Sequence, residues 1–210
     1  MGILGLLFPD RCVFCGKILK NGRVCAECER ALPYTEGVRT SKRGEFFTEC
    51  VSPFYYRGIV RDSILRFKFG GRGMYAEVYA KYCARAVNEL LNGRFDLITW
   101  VPVSKKRLRK RGYDQARLIG EALANELSIP CRVTLEKIRD TAAQSTLEGE
   151  ARRRANISGA YRTVGDGLGG KRILIVDDLI TTGATMNECA RTLLMSGVEE
   201  VAGCTVARSK

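Results

Sequence analysis

The chain has 210 residues, with 35 Lys+Arg against 23 Asp+Glu for a net charge of +12, and 45% of its residues are hydrophobic. That apolar content supports a packed core rather than a disordered chain, and the cationic excess points to an anionic partner: nucleic acid, phosphates or a membrane surface. The chain holds no histidine, which excludes a Ser-His-Asp triad, a histidine general base and histidine metal ligation.

The opening stretch, MGILGLLFPDRC, lacks the basic lead and small-residue cleavage site of a secretory signal, and Leu6 stands where a myristoylation motif needs Ser or Thr. It reads as an apolar segment that docks on the core. No apolar run approaches the roughly 20 residues of a membrane-spanning helix, so no membrane span is expected. Nine cysteines without a secretory signal imply a reducing, cytoplasmic setting. Four of them form two CxxC knuckles, Cys12-Val-Phe-Cys15 and Cys25-Ala-Glu-Cys28. Two knuckles bring four thiolates within reach of one tetrahedral Zn²⁺, and the metal replaces a core too small to fold alone. Structural zinc is the reading adopted; disulfides, or a site that has lost its metal, are the alternatives. Cys50, Cys83, Cys131, Cys189 and Cys204 fall in apolar patterns and read as core thiols. A zinc-binding module over 1–35 and an α/β domain over 36–210 are expected.

Beyond the knuckles, 50–58 reads as a strand, and 74–91 carries apolar or aromatic residues at helical spacing. Residues 95–103 form a nearly continuous apolar strand containing Trp100, read as core packing rather than base stacking. Residues 114–127 place Ala116, Ile119, Leu123 and Leu127 on one helical face. A strand over 131–138 precedes a polar, arginine-rich loop. Then come a strand over 173–176, a helix over 184–196 ending at Gly197, and a strand over 199–208. Alternating strands and helices, with strands apolar on both faces, predict a parallel α/β sheet flanked by helices. GDGLGGK (165–171) matches a P-loop only superficially: Arg172 replaces the Mg²⁺-binding Ser/Thr, and a strand follows where one should precede.

The informative stretch is ILIVDDLITTGAT, residues 173–185. Ligands of open α/β sheets bind beyond the carboxyl ends of strands, and Asp177 and Asp178 fall at such an end. The backbone N–H groups of Thr181, Thr182, Gly183, Ala184 and Thr185 open a helix and can converge on a phosphate. The two carboxylates can accept hydrogen bonds from vicinal sugar hydroxyls, directly or through Mg²⁺. A sugar 5-phosphate with two free hydroxyls fits that layout. Six basic residues, Lys105, Lys106, Arg107, Arg109, Lys110 and Arg111, lie in one run and are candidates for pyrophosphate or DNA phosphates. ARRRAN (151–156) is a second basic cluster, divided evenly between solvated surface and phosphate contact.

The 173–185 stretch closely resembles the phosphoribosyl pyrophosphate (PRPP) motif of type I phosphoribosyltransferases. Together with LLFPDRCVFCGK…CAEC, FYYRGIVRDSILRFKFGGR, VPVSKKRLRKRGYDQARLIGEALA and DTAAQSTLEGEARRRANISGAY, the chain is similar over nearly its whole length to the ComF family. That resemblance implies a type I phosphoribosyltransferase-like parallel sheet behind a small N-terminal zinc-ribbon module of four cysteines. It assigns Asp177 and Asp178 to the ribose hydroxyls of PRPP, Thr181 through Thr185 to its 5-phosphate, and VPVSKKR to the pyrophosphate loop, with Lys105 and Arg107 pairing with pyrophosphate. It makes 139–154 the flexible catalytic loop. It further implies PRPP with Mg²⁺ as ligand, a link to single-stranded DNA in natural transformation, and competence-machinery proteins as partners. Two other functions stay open: active transfer of ribose 5-phosphate to an unidentified acceptor, and non-catalytic sensing of PRPP. The missing histidines do not exclude transfer, since charge stabilisation and positioning can drive it.

Overall fold

The computed structural model describes residues 10–36, 41–69, 73–91, 94–140 and 157–210. The opening apolar segment up to residue 9 and most of the arginine-rich loop, with its 151–156 cluster, lie outside the described residues.

The second knuckle opens a short helix, α1 (Ala26–Ala31), which is capped by the Cys25 side chain and carries Cys28. Two short strands, β1 (Cys50–Val51) and β2 (Phe54–Tyr55), stand in place of the one longer strand that the sequence predicts. Pro53 separates them, because proline has no N–H to donate to a ladder. Helix α2 (Gly58–Phe69) follows, then α3 (Gly73–Leu90), β3 (Leu97–Trp100), α4 (Lys105–Arg111) and α5 (Gln115–Leu127). A two-stranded antiparallel pair, β4 (Leu135–Lys137) and β5 (Tyr161–Thr163), precedes β6 (Arg172–Ile180), α6 (Ala184–Leu194) and β7 (Glu200–Arg208).

The main sheet is parallel, in the order β1-β7-β6-β3, with β2 also on β7. Its centre is β6 against β7, in register from Arg172 opposite Glu200 to Ile180 opposite Arg208. Both faces of β6 are buried, which explains why its sequence is apolar without alternation. Leu174 and Val176 pack into a core shared with α2, α3 and α5, while Ile173 and Ile175 pack against α6 with Met186, Cys189 and Leu193. Cys50, Cys83, Cys189 and Cys204 are buried thiols, and Cys131 is only half-buried. Trp100 is 8% exposed and lies in the core, with the Arg117 guanidinium 5.8 Å from its ring centroid.

The first core also contains Cys12, Val13 and Phe14 of the first knuckle. Phe14 meets Phe54 edge-on at 5.9 Å and Tyr79 at 6.2 Å between ring centroids, the separations of favourable aromatic pairs. The ribbon therefore packs into the same apolar core as the sheet.

Candidate functional site

The four thiols of Cys12, Cys15, Cys25 and Cys28 lie within 4.8 Å of one another, with three of the residues buried. The Cys25 N–H donates to Cys12 Sγ at 3.4 Å and the Cys28 N–H to Cys25 Sγ at 3.5 Å. Such N–H···S contacts orient thiolates and offset their charge. Burial opposes ionisation of Cys12, but backbone donation from Cys25, Cys15 and Phe14 holds its thiol down at about 7. Four converging sulfurs, one of them eased toward the thiolate, fit a structural zinc ion. Lys17 and Glu27 form an exposed ion pair at 3.2 Å across the ribbon.

The second centre is at the carboxyl end of β6. The strand continues past the acidic pair, pairing Asp177 with Thr205 and Leu179 with Ala207. Asp177 Oδ1 accepts the Asp178 N–H at 2.8 Å. Burial and the facing charge of Asp178 push the Asp177 carboxyl well above the ordinary carboxylate range, against that bond and the nearby Lys68. Asp178 Oδ2 is buried, and the Lys68 ammonium meets it at 2.6 Å as an ion pair. The ammonium occupies that oxygen and fixes how the carboxylate is presented.

The turn after the strand brings Thr181, Thr182, Gly183, Ala184 and Thr185 around one small cavity, with Asp177 on its wall. Gly183 has φ 85° and no side-chain cap follows it, so α6 begins in a left-handed turn that favours glycine. The Ala184 N–H reaches Thr182 Oγ1 at 3.4 Å. A segment with no motif of its own covers this turn. Lys42 Nζ donates to the Thr181 carbonyl, the Phe46 N–H donates to Asn187 Oδ1 at 2.9 Å, and a Cβ at Gly183 would stand 3.5 Å from the Phe47 ring.

The basic run is helix α4 rather than an open loop, N-capped by Ser104 and ended by Gly112 with φ 78°. The helix divides the run. Arg107 and Arg111, one turn apart, are half-buried, and Lys105, Lys106, Arg109 and Lys110 are exposed. Arg107 lies near Lys137, whose ammonium is pushed down by burial and by that guanidinium, while Asp177 acts in the opposite sense. Arg111 lies close enough to Lys68 to oppose its charge. Asp114 caps α5 by accepting the Arg117 N–H at 3.2 Å and also accepts the Val103 N–H at 3.2 Å, which fixes the loop between β3 and α4. Lys42 and Lys137 lie in no stretch that carries the family resemblance, and the stretches that contain Lys68 and Asp114 assign those two residues no role. The available signal for Lys68 is its helix, with Val60, Ile64 and Phe67 at apolar spacing, all fully buried.

A parallel sheet whose central strand ends in paired carboxylates and a glycine turn defines a phosphoribosyltransferase-type domain, here behind a four-cysteine zinc ribbon. Residues 114–210 match the Phosphoribosyl transferase domain family, and residues 3–49 match the Double zinc ribbon domain family. Competence protein ComFC of Bacillus subtilis is 26% identical over 200 residues, spanning 94% of this chain and 78% of its own length. Competence protein F of Haemophilus influenzae is 28% identical over 207 residues, with 94% and 90% covered. DNA utilization protein YhgH of Escherichia coli K12 is 35% identical over 109 residues, 50% of this chain and 46% of that one. The chain is thus a homologue of the ComF-type competence proteins. Among solved structures, adenine phosphoribosyltransferase from Thermoanaerobacter pseudethanolicus is 21% identical with a TM-score of 0.39, covering 63% of this chain and 68% of that one. No helix among the described residues is long and apolar enough to cross a membrane.

Two outcomes follow from this geometry. Elemental analysis of the purified protein should find about one zinc per chain, and Cys25→Ser should lose it; metal-free protein with intact thiols would contradict the assignment. Because the folded Asp177 carboxyl is raised, ionising it opposes folding at every pH above its unfolded range. Asp177→Asn should therefore raise the unfolding midpoint at neutral pH. The gain should shrink as pH falls and vanish below about 4, where the wild-type carboxyl becomes protonated in the unfolded state as well. Melting curves of both proteins across pH check this, and a pH-independent difference would contradict it.

Proposed function

We propose that the chain binds PRPP with Mg²⁺ at the turn after β6 and holds single-stranded DNA along the exposed face of α4, in the cytoplasm, in the service of natural transformation. The observation that carries the reading is the adjacent carboxylates of Asp177 and Asp178 at the end of β6, the second held by Lys68, next to a five-residue turn around a small cavity. Vicinal ribose hydroxyls are donors of the right kind for the carboxylates, and the turn with the start of α6 suits a 5-phosphate. Carboxylate and phosphate oxygens together suit Mg²⁺, which would offset the charge of the pyrophosphate. Arg107 and Arg111, on the half-buried face of α4, take the pyrophosphate. Lys105, Lys106, Arg109 and Lys110, on the exposed face, take nucleic-acid phosphates. The relatives named competence protein and DNA utilization protein support the DNA role, and proteins of the competence machinery are the partners it implies.

The division of α4 makes the two ligands separable. Asp177→Asn with Asp178→Asn should weaken PRPP binding about tenfold or more, equivalent to about 1.4 kcal/mol, in calorimetry with Mg²⁺. Equal heats in wild type and variant would reject the site. Replacing Lys106, Arg109 and Lys110 by Ala should leave PRPP binding intact. The same triple change should flatten the salt dependence of single-strand binding by about two units of log K per log salt. An unchanged slope would place the nucleic acid elsewhere.

A further inference from the structure

Helix α2 touches both centres. At its middle, Ser63 Oγ donates to the Val13 carbonyl at 2.7 Å and shares a 2.6 Å hydrogen bond with the Tyr79 hydroxyl. One turn on, the Arg66 guanidinium donates to the carbonyls of Val13 and Phe14. Those two carbonyls belong to the residues between Cys12 and Cys15, so α2 is fastened to the backbone of the first knuckle. Two residues further, Lys68 Nζ lies 2.6 Å from Asp178 Oδ2, with the two side chains 18% and 13% exposed. The end of the helix is held from the other side, where the Tyr113 hydroxyl donates to the Phe67 carbonyl and Gln115 Nε2 reaches the Lys68 carbonyl at 3.5 Å.

We propose that Lys68 is a positioning residue of the phosphoribosyl site, set in place by the zinc ribbon through Ser63 and Arg66. The inference rests on the PRPP reading of that site. A lysine ammonium facing a partly buried carboxylate offsets its charge and fixes which oxygen remains for a ligand hydroxyl. The ammonium sits on a rigid helix, so displacing the knuckle displaces it. By linkage, anything that stabilises one end of α2 stabilises the other, and the coupling is reciprocal in affinity. Zinc in the ribbon then favours ligand at the carboxylates, and ligand there favours zinc.

The test uses the full chain, with zinc affinity measured by competition against a chelator and PRPP affinity by calorimetry with Mg²⁺. Lys68→Met should lower PRPP affinity about tenfold, because one charge of a partly buried pair loses its partner. It should also lower zinc affinity about fivefold or more, the lower range of coupling between sites, although Lys68 touches no cysteine. Lys68→Arg, which keeps the charge, should restore most of both. If Lys68→Met fails to fold, Arg66→Gln cuts the tether at the knuckle and leaves the ion pair; it must then weaken PRPP binding without contacting the site. Wild-type zinc affinity in Lys68→Met, or wild-type PRPP affinity in Arg66→Gln, overturns the link. A wild-type protein that binds no PRPP overturns the site reading and with it the positioning role. The zinc affinities then show separately whether the two ends of α2 communicate.

Discussion

Lys68 facing Asp178 is the interaction on which the arrangement of the site depends. The strand that delivers the two acids is buried on both faces up to Val176, so its carboxylates emerge where water reaches them poorly. Adjacent carboxylates in such a place repel one another and lose hydration. The chain answers with Lys68, which pairs with Asp178 and also eases the charge of Asp177. The residual cost shows in the raised Asp177 carboxyl. Groups held at the expense of stability commonly sit where a ligand will complete them.

That requirement reaches back to the ribbon. Lys68 can face Asp178 only if α2 is held in place, and α2 is bound to the first knuckle by Ser63 and Arg66. Phe14, between the two cysteines of that knuckle, lies 1% exposed among Phe54, Tyr79 and Tyr82. A ribbon of this size has too little apolar surface to order itself, and the zinc supplies the missing constraint. Once ordered, it becomes one wall of the larger core.

Much of this is legible in the sequence, for reasons that can be named. The apolar run into Asp177 and Asp178 marks a doubly buried parallel strand, because burial on both faces removes the alternation of an ordinary strand. The knuckles are legible because metal ligation restricts spacing. Less is legible where tertiary contact decides. Residues 50–58 read as one strand, yet Pro53 breaks the ladder into β1 and β2. Helix α2 escapes notice although Val60, Ile64 and Phe67 follow one face, since Arg and Lys interleave with them. Strand β5, three residues long, carries too few positions for a period to show. Lys42 and Lys68 cannot be found from spacing at all, because their partners, Thr181 and Asp178, are more than a hundred positions away along the chain.

The basic helix presents cations on two faces. Arg107 and Arg111 fall on the half-buried face of α4 near Lys137 and Lys68, while the other four cations face outward. The central claim, however, concerns the carboxylates: they recognise a vicinal diol on a phosphorylated ribose. Competition against bound PRPP tests it most directly, with ribose 5-phosphate and 2-deoxyribose 5-phosphate as competitors. The two sugars share the phosphate and differ by one hydroxyl. The account predicts that the deoxy sugar competes about tenfold less well, because a carboxylate acceptor loses its donor. Equal competition by the two sugars would contradict it.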